Sequence, residues 1–198
     1  MAKKKTERKS SSLTEAIGLS SFLRSEKTDF LFGMIIVLFA IVTLIAMFSY
    51  LNTGAADQSL LESLRPGEWL NTGKEFCNYC GSFGAIISYL FITENFGFSA
   101  FLIPAFLILV GVKMMQIFTV NLWKWFFGMA ITMIWLSLFL SKVLTPFMTE
   151  WVFNPGGYHG AICVEYIENV IGPPGLTAVL FFSAIALLTF ISKQTITW

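Results

Sequence analysis

Charge is scarce in this chain. Of its 198 residues 13% are Asp, Glu, Lys or Arg, and it holds one histidine and three cysteines. Each shortage excludes something. A water-soluble domain carries about a quarter charged residues, so an ordinary globule in water is ruled out. The lone imidazole, His159, has no second histidine or ligand set beside it, which leaves a zinc-type site without donors and makes it a hydrogen-bonding turn residue. Cys77 and Cys80 form one Cys-x-x-Cys pair, but Cys163 is the only other thiol. A thiol-oxidising membrane enzyme needs a second pair to pass electrons on. The pair itself fits a disulfide in an oxidising compartment and two free thiols equally well. Ionisable residues are also missing from the middle of every long apolar run, where a transport pathway would place them. A small transporter or channel subunit is therefore the alternative reading and not the first. No catalytic, cofactor-binding or metal-binding residue is assigned.

What the chain does have is apolar bulk: 56% hydrophobic residues, with 21 Phe, and a mean hydropathy of +0.72. Four runs are long enough to cross about 30 Å of hydrocarbon at about 1.5 Å per residue. They cover 30–51, 97–118, 126–144 and 174–191, inside a membrane domain of 30–192. Pro104 sits near the outer end of the second, Lys113 near its inner end, and Lys142 at the far end of the third. The expectation is an all-α membrane protein with four transmembrane helices. Asn52–Cys80 reads as an acidic polar loop with Asp57, Glu62, Glu68 and Glu75, and Thr145–Pro155 as a shorter one. Trp69 and Trp151 suit an outer aromatic belt, and Trp123 and Trp125 the opposite boundary.

Basic residues are unevenly placed. Ten of the thirteen lie before the first run, around the turn between the second and third, or after the fourth; Arg65, Lys74 and Lys142 lie on the other side. The positive-inside rule then puts both termini in the cytoplasm. The tail 1–29 begins with Lys3, Lys4, Lys5, Arg8 and Lys9 and continues into a weakly amphipathic stretch, Leu13–Asp29. Such a run beside a first span is a topology signal or a contact to anionic lipid more often than a DNA-binding arm. Residues 193–198 read as the start of a cytoplasmic linker.

One stretch occurs twice. Gly81-Ser-Phe-Gly84-Ala-Ile opens a short apolar segment that closes at Glu94-Asn-Phe-Gly97, and Gly157-Tyr-His-Gly160-Ala-Ile opens another that closes at Glu168-Asn-Val-Ile-Gly172. The spacing between inner glycines differs by one residue. Each is flanked by two long runs, so the plan is two parallel two-span repeats, each with a short outer interfacial or re-entrant helix. The first copy, Ala85–Thr93, is apolar nearly all round and is expected to be sunk against its neighbours. The second is expected to float in the interface, with Cys163, Tyr166, Ile167 and Val170 on one side and Glu165, Glu168 and Asn169 on the other. Glu165 and Glu168 share a face as catalytic carboxylates might be arranged, but a solvated helix face explains them.

Asn78-Tyr-Cys-Gly81-Ser-Phe-Gly84-Ala, Phe96-Gly97-Phe-Ser-Ala, Ile103-Pro104, Asn154-Pro-Gly156-Gly157-Tyr-His-Gly160 and Ile171-Gly172-Pro-Pro-Gly175 together resemble the N-terminal four-span membrane domain of the FtsK/SpoIIIE family of DNA translocases, over nearly the whole chain. The resemblance implies a membrane anchor and oligomerisation module of a septal DNA translocase in cell division and chromosome segregation. It also implies membrane lipids, further copies of the chain (a hexamer, by the family alone) and other division proteins of the bacterial inner membrane as partners. DNA would be met only through an ATP-driven motor lying C-terminal to these residues. Gly67–Lys74 is no phosphate loop: five residues separate its glycines, and Glu75 stands where Ser or Thr would hold magnesium.

Overall fold

The computed structural model describes residues 26–68, 75–148 and 150–196. The basic run Lys3–Lys9, most of Leu13–Asp29, Trp69, Lys74 and the last two residues lie outside them. Among the described residues there are five α-helices: α1 (Glu26–Ser63), α2 (Gly81–Ser88), α3 (Leu102–Met114), α4 (Leu122–Leu144) and α5 (Gly157–Ile196). Between α2 and α3 the chain passes through a π-helix, Tyr89–Phe96, then breaks at Gly97 and re-enters α3 by a 3-10 turn, Gly97–Phe101. Four helical stretches are long and apolar enough to span a membrane, and there are no strands among the described residues.

The first polar loop is shorter than its composition suggested. Asn52–Ser63 is not loop but the continuation of α1, which runs 38 residues, about 57 Å. Side chains four apart hold this extension: Thr53 Oγ1 donates to Asp57 Oδ2 at 2.6 Å and Gln58 Nε2 to Glu62 Oε1 at 2.8 Å. Asp57 is buried and also accepts from the Cys77 backbone N–H at 2.7 Å. The carboxylate so fastens the far end of the loop to the helix.

The two copies of the repeat build the same turn. Asn78 Oδ1 accepts from Cys80 N at 3.0 Å while Gly81 N donates to Asn78 O at 2.8 Å. In the second copy Asn154 Oδ1 accepts from Gly156 N at 2.9 Å and Gly157 N donates to Asn154 O at 2.7 Å. Each turn launches a short helix packed along its own preceding span, and each short helix ends at a glycine of positive φ, Gly97 (62°) and Gly172 (76°), a conformation that L side chains resist. Between inner and breaking glycine the first copy has one residue more. It is the copy that contains the π-helix, the form in which a helix takes up an extra residue.

The first short helix is sunk, as its composition predicts: Ala85 and Ile92 are fully buried with Met47 and Tyr50, and Phe83 stacks edge-on to Phe39 in mid-span. The second packs directly on α4 at Gly160, where an added Cβ would lie 2.5 Å from the Ser137 carbonyl oxygen. Its faces are divided accordingly: Glu168 turns inward to Lys142, while Tyr158, Ile162, Tyr166 and Val170 form an exposed apolar stripe.

Within the first repeat, α1 and α3 cross at glycine against glycine. A Cβ on Gly33 would meet Gly111 O at 2.6 Å, and one on Gly111 would meet Gly33 O at 2.6 Å. In lipid, where burying apolar area offers little drive, such close approach is what holds two helices together. Gly111→Leu is therefore expected to destabilise the domain by about 2–3 kcal/mol while insertion persists. Reversible unfolding in detergent checks this, with Gly128→Leu, where a Cβ meets open space, as the tolerated control.

Candidate functional site

The joint between the repeats is built where the two Gly-rich turns meet. Gly97 and Gly157 touch backbone to backbone: a Cβ on Gly97 would lie 2.5 Å from Gly157 N, and one on Gly157 would strike the Asn95 carbonyl. Phe98 N donates to Pro155 O at 2.9 Å across the joint. Around it lies an aromatic cluster in which Phe98 meets Trp151 at 5.2 Å and Phe153 at 5.7 Å between ring centroids, and Tyr50 meets Phe153 at 6.1 Å. Trp151, expected as a belt residue, is 40% exposed and also serves this packing.

His159 sits in the joint, on the first turn of α5. Its ring lies 5.0 Å from that of Phe96, its Nδ1 is 3.3 Å from Ser137 Oγ and its Nε2 is 3.7 Å from Cys163 Sγ. Ser137 spends its hydroxyl proton on the Gly156 carbonyl at 2.6 Å. The imidazole must therefore donate from Nδ1 to Ser137, leaving Nε2 as the acceptor facing the thiol. This chain of Gly156, Ser137, His159 and Cys163 staples the start of α5 to α4. As a ligand set it offers one nitrogen and one sulfur, short of the four donors a structural zinc takes.

Polar groups elsewhere complete the joint. Tyr50 Oη is 3.0 Å from Thr93 Oγ1, and Tyr89 Oη donates to Glu94 Oε1 at 2.8 Å. Asn78 Nδ2 donates to the Ala46 carbonyl at 3.0 Å, tying the first turn to α1. Cys77 and Cys80 are free thiols, the second with Sγ 3.6 Å from Val42 O.

The structure separates Glu165 from Glu168: the first is exposed, the second paired with Lys142 in the last turn of α4. Reasoning from sequence missed this pair and the Asp57 clamp, because neither partner is near in sequence. The repeated Asn three residues before Gly81 and Gly157 was the visible signal for the turns.

Lys142 and Glu168 are each about a quarter exposed, so their attraction is partly screened. A double-mutant cycle with Lys142→Gln and Glu168→Gln should give a coupling of about 0.5–1 kcal/mol, read from unfolding in detergent at two salt concentrations. A coupling indistinguishable from zero would remove the pair from the account of how α5 is held.

No curated protein and no solved structure matches this chain. A family described as the 4TM region of DNA translocase FtsK/SpoIIIE matches residues 27–198, which takes in all four spanning helices and both turns. Built from a duplicated span, turn and short helix, the chain belongs to the family of four-span membrane regions of FtsK/SpoIIIE DNA translocases.

Proposed function

We propose that this chain is the anchor and assembly module of a division-associated DNA translocase, holding a cytoplasmic motor at the septum of the bacterial inner membrane. The observation that carries the reading is the family match over residues 27–198. The geometry is consistent with a tether: polar side chains of the joint are spent on one another and on backbone groups, and the spans enclose packed glycine, alanine and aromatic side chains. The module's work is mechanical. Its helices resist extraction, its joint keeps the two repeats in register, and the exposed stripe Tyr158, Ile162, Tyr166 and Val170 offers a face to division proteins or to further copies.

The orientation we infer has both termini in the cytoplasm, because ten basic residues lie on that side against three. In this reading 1–29 is a basic cytoplasmic tail, 30–192 the membrane domain, and 193–198 the start of the linker.

Two measurements test the proposal. Single cysteines placed at Ala2 and Thr197, in a variant with the native thiols replaced, should both react with an impermeant maleimide only after the membrane is opened; labelling of one from outside overturns the orientation. A fluorescent fusion of the chain should concentrate at midcell in dividing cells, and an even distribution around the envelope would count against a septal role.

A further inference from the structure

The two repeats differ where their spans approach. In the first, Gly111, fourteen residues beyond the break at Gly97, is pressed against Gly33. In the second, the residue fourteen beyond the break at Gly172 is Ala186, which is exposed. Ala186 and Gly128 instead line a groove of about 500 Å³ between α4 and α5, and a Cβ on Gly128 would have nothing within 4 Å. The wall is apolar. Its only indole N–H, that of Trp135, is already spent on Ser183 Oγ at 2.9 Å, and Ser183 in turn donates to Val179 O at 2.6 Å.

The contents of the groove follow from size and chemistry. Water is excluded, since an apolar cavity without free polar partners stays dry, and an empty groove would forfeit the dispersion contacts of its lining. The wall runs from Gly128 to Leu138 on α4 and from Leu176 to Phe190 on α5, a length of about 15–20 Å at helical rise. A single methylene chain, whose carbons keep about 4 Å from their neighbours, fits along that length of open, apolar groove. Charge marks one end. Lys124 is exposed one turn before Gly128. A cation at the mouth of an interhelical groove is the pattern that receives an anionic lipid headgroup.

We infer that the groove between α4 and α5 is a binding site for one anionic phospholipid, an acyl chain lying along Gly128, Trp135 and Ala186 with the headgroup at Lys124. The lipid takes the place in the second repeat that direct glycine contact takes in the first.

The test is photo-crosslinking of the whole chain in vesicles doped with phosphatidylglycerol or phosphatidylcholine carrying a diazirine on one acyl chain, with labelled peptides mapped by mass spectrometry. Phosphatidylglycerol should label the groove walls of α4 and α5 more than the outward face of α1 around Leu38, which is 61% exposed. Gly128→Leu, whose side chain enters the groove, should lower groove labelling about fivefold or more and leave α1 labelling unchanged. Lys124→Gln should reduce the preference for phosphatidylglycerol over phosphatidylcholine about fivefold without changing the mapped positions. Even labelling of all outward faces, or groove labelling untouched by Gly128→Leu and by a second filling variant, Ala186→Phe, overturns the site. Loss of crosslinks between copies in the filling variants, with lipid labelling unchanged, would assign the groove to a helix of a second copy and overturn it equally.

Discussion

A helix broken beside lipid strands peptide groups that hydrocarbon cannot satisfy, and this chain breaks two. The rest of its architecture answers to that constraint. At Gly97 the break is repaired by the other repeat: Phe98 N finds Pro155 O, the Ser99 hydroxyl returns to Phe96 O at 2.7 Å, and Asn95 Nδ2 covers Leu90 O at 2.6 Å. At Gly172 the following residues are Pro173 and Pro174, which have no N–H to leave stranded, and Thr177 Oγ1 donates to Pro173 O at 2.9 Å. One break is closed by tertiary contact and the other by removal of the donors. The joint between repeats is thus required by the first break as well as stabilised by packing.

This explains why so small a set of residues meets there. Backbones must come within hydrogen-bonding distance for Pro155 to reach Phe98, and any Cβ on Gly97 or Gly157 would hold them apart. Once they touch, His159 has one place to go, between Phe96 and Ser137. The aromatic rings of Phe98, Trp151 and Phe153 pack on one another beside the contact.

Much of this was legible in sequence. Four apolar runs fix the number of spans because hydrocarbon thickness fixes their length, and the paired glycines mark both turns and both breaks. Two kinds of feature were not legible. The helical extension Asn52–Ser63 looked like loop because its polar side chains serve one another at spacing four, which composition does not distinguish from solvation. The inward turn of Glu168 was hidden because its partner, Lys142, lies on a different helix.

The π-helix at Tyr89–Phe96 records a difference in length between two otherwise matching copies. Both ends of that segment are pinned, one by the Asn78 turn and the other by the contact of Gly97 with Gly157. A surplus residue between fixed ends cannot lengthen the path, so it widens the coil. A membrane protein built from two similar halves can in this way hold segments of unequal length between the same anchor points, the swollen turn taking up the difference.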